Sequence, residues 1–112
     1  RNFCDLGPVE GCGFTALEDQ KFDVIINATA AGLKGETPVL PGGVLAVDAW
    51  CYDLMYGDHP TAFVSWAQKQ GAGRVADGLG MLVEQAAESF FLWRNVRPET
   101  RDVIAVLRSE IG

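Results

Sequence analysis

Three short segments gather residue types able to hold a polar ring compound. They are Asn27-Ala28-Thr29-Ala30-Ala31-Gly32-Leu33, Asp53-Leu54-Met55-Tyr56 and Asp77-Gly78-Leu79-Gly80-Met81. Each couples hydrogen-bonding side chains with small ones. Alanine at Ala28 and Ala30, and glycine at Gly78 and Gly80, let a flat ring or a ribose lie close to the backbone. Gln85 adds an amide that both donates and accepts, which suits a hydroxylated ligand. On physical chemistry alone each feature has a second reading. Asn27 and Thr29 fit a turn closed by side-chain-to-backbone hydrogen bonds. Tyr56 fits an amphipathic edge position, Gly78 and Gly80 a plain strand-to-helix turn, and Gln85 a solvated helix surface.

Other chemistries find little support. The single histidine, His59, stands beside Pro60 in a loop-like stretch and reads as a solvated residue, so no Ser–His–Asp or Cys–His set is credible. The cysteines are Cys4, Cys12 and Cys51, an odd count with no CxxC pair. That is a poor zinc site and a poor disulfide framework, and reads as reduced, mostly packed thiols of a cytosolic protein. These residues contain no GxGxxG and no Walker sequence, so a pyrophosphate cradle is not among them. No pair of carboxylates stands out for acid–base work.

The elements that position these segments follow from periodicity. Phe22–Asn27 is a short apolar run with three β-branched residues, which suits a parallel strand covered on both faces. The stretch from Ala31 to Gly43 is too rich in glycine and proline for a regular element. A second strand is expected near Val47–Leu54. Thr61 suits the N-cap of a helix over 62–70, closed by Gly71. Arg74–Ala76 is a short third strand. A strong helix over Met81–Trp93 presents Leu82, Val83, Ala86, Ala87, Phe90 and Trp93 as one apolar face. Met81, Gln85 and Leu92 form a row on its other side. A last helix is expected from about Pro98 to Ile111, with Pro98 at its first position. Residues 1–20 suggest the tail of a helix over Arg1–Cys4 and a short strand near Glu10–Phe14. The order β-loop-β-α-β-α-α indicates an α/β layered, parallel sheet ending in two successive helices. In such sheets ligands bind beyond the carboxyl ends of the strands, where the three segments fall.

Composition narrows the partners. A chain of 112 residues is one domain at most. Its hydrophobic content of 48% and charged content of 21% suit a folded domain rather than a disordered one. A net charge of -6 argues against a nucleic-acid partner, which needs clustered Lys and Arg. No apolar run approaches the roughly 20 residues that span a bilayer, so no membrane partner is expected. The first residue is Arg1, which leads us to expect a piece of a longer protein.

Taken together, the segments resemble a known family. Phe22-Asp23-Val24-Ile25-Ile26-Asn27-Ala28-Thr29-Ala30-Ala31-Gly32-Leu33 resembles the FDxxINATxxGL segment of shikimate dehydrogenases. Tyr52-Asp53-Leu54-Met55-Tyr56 is similar to that family's YDxxY, and residues 77–87 to its DGxGMLVxQAA. Phe90, Phe91, Trp93 and Pro98 also match. The resemblance implies NADP as cofactor and reversible reduction of 3-dehydroshikimate to shikimate, a step of aromatic amino acid biosynthesis. It implies cofactor contacts at Thr29, Ala30, Leu54, Gly78 and Met81, and shikimate contacts at Tyr56 and Gln85. The family commonly has Ser or Pro where this chain has Ala30, and Pro where it has Ala62. It implies that residues 1–95 are the later part of a Rossmann-like dinucleotide-binding domain. Residues 96–112 are then a terminal helix packing toward an N-terminal substrate domain. The family's catalytic Lys–Asp pair has no match here, so this segment alone is expected to be inactive. A relative using quinate or NAD, and a non-catalytic remnant of the same fold, remain alternatives. A homodimer, or another chain covering exposed strand edges, is a further expectation.

Overall fold

The computed structural model describes residues 4–111. Its strands are β1 (Phe22–Asn27), β2 (Leu45–Asp53) and β3 (Arg74–Ala76). They form one parallel sheet in the order β1-β2-β3. Helix α1 (Ala62–Lys69) makes the crossover from β2 to β3, α2 (Leu79–Arg94) follows β3, and α3 (Arg101–Ile111) succeeds it directly. Among the described residues, no helix is long and apolar enough to cross a membrane.

The core sits between the sheet and α1. On β2 the side chains of Ala49, Cys51 and Asp53 are buried on one face, as a two-residue period requires. Cys51 packs with Phe63 and Ala67 of α1, and Ile25, Leu45, Trp66 and Val75 close around them. Phe63 and Trp66 stack with ring centroids 5.6 Å apart. Burial pushes the Cys51 thiol's pKa up. Thr61 caps α1 by accepting from the Val64 amide at 3.2 Å, and Gly71 leaves the helix at a φ of 86°.

The opposite sheet face is bare. Val24 and Ile26 are 57% and 60% exposed, and Trp50 is exposed with the Arg74 guanidinium 4.6 Å above its ring. The expected cover on both faces of β1 is therefore not present, because no described helix packs on that side. The expected single apolar face of α2 is likewise only half-covered. Val83 and Ala87 are buried, but Ala86 and Phe90 are exposed and Trp93 is 78% exposed.

Several boundaries differ from those expected. β2 begins at Leu45 and bulges between Leu45 and Trp50, where Asp48 takes a φ of 57°. α2 begins at Leu79 rather than Met81, because the Asp77 carboxylate accepts from the Leu79 amide at 3.2 Å. α3 begins at Arg101, not Pro98. Glu99 accepts from the Arg101 amide, while Arg97 and Thr100 are held by glutamates of α2, so this stretch runs along α2 before turning helical. No strand forms near Glu10–Phe14, and Phe14–Leu17 is a 3-10 turn. The expected helix tail lies mostly outside the described residues, and Cys4–Leu6 is another 3-10 turn. A third, Ala30–Lys34, enters the stretch read as irregular. Of the thiols, Cys51 is packed but Cys12 is exposed, and both are free.

Candidate functional site at the carboxyl edge of the sheet

The three strands end together, and backbone bonds lock their exits. The Leu54 amide, just past β2, donates to the Asn27 carbonyl at the end of β1 over 3.1 Å. The Gly78 amide, just past β3, donates to the Met55 carbonyl over 2.9 Å. Thr29, Leu54 and Gly78 are thereby brought to one rim, with Tyr56 one residue beyond the Met55 link.

Side chains reinforce the rim. The amide oxygen of Asn27 accepts from both the backbone amide and the hydroxyl of Thr29, at 3.1 and 2.7 Å. Its amide nitrogen donates to the Asp53 carboxylate at 3.2 Å. The same carboxylate accepts from the Met55 amide at 3.1 Å and from the Thr61 hydroxyl at 2.6 Å. Asn27 is nearly buried and Asp53 fully so. The turn reading of Asn27 and Thr29 is thus realised, and Thr29 keeps only its oxygen lone pairs for any ligand.

Gly78 is required by the close passage of this rim. A Cβ there would stand 2.0 Å from the Leu54 carbonyl oxygen. Its amide is used by Met55, and its carbonyl accepts from Leu82 at 3.0 Å, so one carbonyl lone pair remains. Gly80 differs, since a Cβ added there would have nothing within 4 Å. Gly80 and Met81 border a cleft of about 810 Å³ that Tyr52, His59, Asp77 and Arg108 also line.

Gln85 does not share that cleft. It lies two turns along α2 in a separate groove of about 430 Å³ between α2 and α3, beside Leu82, Trp93, Val103 and Leu107. Neither of these two cavities is lined by Thr29, Tyr56 or Gly78. Tyr56 is 41% exposed, Gln85 and Ala30 are exposed, and Leu54 is half-buried. His59 is solvated, 3.6 Å from the Asp58 carboxylate.

The roles of two residues escaped the sequence reading. Asp53 had one signal, a carboxylate two positions beyond the buried Cys51 on the same face of β2. Arg108 had none. It reaches back 31 residues to grip both carboxylate oxygens of Asp77 at 2.7 and 2.8 Å, docking α3 on the turn that carries Gly78. That hydrogen bonding holds the Asp77 carboxyl below its usual range and pushes the Arg108 guanidinium up.

Comparison with known proteins agrees with this topology. Residues 78–108 match the model of the shikimate 5'-dehydrogenase C-terminal domain. A shikimate dehydrogenase (NADP(+)) of Methylococcus capsulatus is 62% identical over 108 residues, 96% of this chain but 39% of that protein. The chain therefore spans about two-fifths of the length of such curated relatives. An Ael1 enzyme of Pseudomonas putida superposes with a TM-score of 0.74 at 50% identity, over 84% of this chain and 35% of that one. A shikimate dehydrogenase crystallised in complex with NADP+ superposes with a TM-score of 0.68 at 31% identity, over 80% of this chain and 32% of that one. In sequence and in fold, the chain is similar to shikimate dehydrogenases over about two-fifths of their length.

Proposed function

We propose that this chain is the cofactor-side portion of an NADP-dependent shikimate dehydrogenase. The parent protein interconverts 3-dehydroshikimate and shikimate by hydride transfer. The observation that carries the proposal is the hydrogen-bonded rim that unites Asn27-Ala28-Thr29, Leu54 and Gly78, the ends of three motif segments far apart in the sequence. The identity to NADP-dependent relatives supports the same reading.

The residues present fit one wall of a nicotinamide site. The rim offers two hydrogen-bond acceptors, the Thr29 hydroxyl oxygen and the Gly78 carbonyl. These match the donor amide of a nicotinamide carboxamide. The open space at Gly80 leaves bare backbone for a flat ring, and Ala30, Leu54 and Met81 supply apolar contact. NADPH, when bound, supplies the hydride. The Tyr56 hydroxyl and the Gln85 side-chain amide make no hydrogen bond among the described residues, so both are available to orient the carboxylate and hydroxyls of shikimate. The proton donor belongs to a part of the parent protein outside these 112 residues, and the chain alone is inactive. Residues 1–95 complete a dinucleotide-binding domain, and α3 turns toward a substrate domain. The exposure of Val103 and Val106 on α3 supports that last assignment.

The test uses the full-length parent protein. NADP-dependent oxidation of shikimate is expected, with Tyr56→Phe and Gln85→Ala each raising KM for shikimate about tenfold or more, as loss of a hydrogen bond to substrate does. KM for NADP stays unchanged in both. Turnover with quinate or NAD instead would redirect the assignment. No turnover, with no thermal stabilisation by either ligand, would make the protein a non-catalytic relative.

A further inference from the structure

Asp53 is the one fully buried acidic side chain among the described residues, and no cation pairs with it there. A buried carboxylate is costly unless donors surround it. Here the donors are all neutral: the Asn27 amide, the Met55 backbone amide and the Thr61 hydroxyl. The hydroxyl of Thr61 already accepts from Val64, so its own hydrogen points to the carboxylate. Both Asp53 oxygens therefore act as acceptors.

Each donor belongs to a different structure. Asn27 holds Thr29 on the β1 exit, Met55 precedes Tyr56 on the β2 exit, and Thr61 begins α1. We propose that Asp53 is a positioning residue that fixes the cofactor-side loop and the substrate-side loop in one mutual arrangement, with α1 as its anchor. This rests on the functional reading above, in which Thr29 faces the cofactor and Tyr56 the substrate. Its consequence is coupling: loosening Asp53 loosens both ligand sites together, although it touches neither ligand.

The test is made on the full-length protein with Asp53→Asn, which keeps the shape but replaces one acceptor oxygen with a donor nitrogen. KM for NADP and KM for shikimate are expected to rise together, about tenfold each, while kcat falls less than about threefold. Ala67→Gly, in the α1 core away from the rim, is the control for general destabilisation and is expected to lower the melting temperature without moving either KM. An Asp53→Asn protein that melts earlier with both KM values unchanged would overturn the proposal, and so would a rise in one KM alone. If Asp53→Asn does not fold, Thr61→Val removes one donor to Asp53 together with the cap of α1, and is expected to shift both KM values in the same direction, with Thr61→Ser restoring them. If the wild-type protein has no dehydrogenase activity, the functional reading fails. The tether is then judged by amide hydrogen exchange. Faster exchange at both Thr29 and Met55 in Asp53→Asn supports it, and unchanged exchange at either overturns it.

Discussion

Gly78 and Gly80 lie two residues apart, and the same substitution should move them in opposite directions. At Gly78 an added Cβ would stand 2.0 Å from the Leu54 carbonyl oxygen and 2.6 Å from its carbon. Both atoms are backbone, tied into the rim by the Leu54–Asn27 bond, so neither can rotate away. Overpacking of this kind costs about 1–3 kcal/mol, and a clash with fixed backbone belongs at the upper end, near ~3 kcal/mol. At Gly80 the added methyl meets nothing within 4 Å and sits inside the first turn of α2. Replacing a helical glycine with alanine there should gain about 0.5–1 kcal/mol. The two variants should therefore differ by about 4 kcal/mol, or roughly 16 °C in Tm at about 4 °C per kcal/mol for a chain of this size. Urea unfolding followed by tryptophan fluorescence reads both. Equal stability of the two variants would refute the packing argument. A Gly80→Ala protein that is stabilised yet binds NADP more weakly would show that the empty space beside Gly80 is where the ring lies.

Other outcomes follow from single contacts. Arg108→Ala removes both bonds to Asp77 and should cost about 1 kcal/mol at neutral pH, because the arginine is half exposed and solvent screens the pair. The folded Asp77 pKa is lowered, so this stability is present above the unfolded carboxylate range and is lost as pH falls through the lowered value. Wild type and Arg108→Ala should thus converge in strongly acidic denaturation series, and a gap that widens with acid would contradict the assignment. Asp48→Gly relieves a left-handed φ of 57° and should raise stability by up to about 1 kcal/mol in thermal melts. The isolated 112-residue chain should self-associate on size exclusion through Leu92, Trp93 and the bare sheet face, and a monodisperse monomer would count against that.

How far the sequence is legible depends on how local the deciding contact is. β1, the Thr61 cap, the Gly71 exit and β3 were readable because neighbours within a few residues decide them. The start of α3 was not, because Arg97 pairs with Glu88 and Glu84 on α2, and that pairing delays the helix past Pro98. The bulge at Asp48 carried one faint mark, an acidic residue within a strand-forming run, and its cause is remote. Gly73, 25 residues on, passes so close that a Cβ would come within 2.6 Å of the Asp48 Cα. The expected apolar face of α2 is buried only at Val83 and Ala87 and half-buried at Leu82. Much of it stays exposed because no element among the described residues covers it. At the site, the motifs marked the segments but not how their hydrogen bonds are spent. The commitment of the Gly78 amide to Met55, and of the Thr29 hydroxyl hydrogen to Asn27, emerged only from three-dimensional placement.

β1 is an edge strand, paired on one side to β2 and carrying solvent-facing Val24 and Ile26. An extended segment laid along its outer side would continue the parallel hydrogen-bond ladder without rearranging anything within it. Anyone grafting this unit into a chimaera must therefore choose between two remedies. The graft can supply a fourth strand there, or it can blunt the edge with lysine or proline so that copies do not zip together.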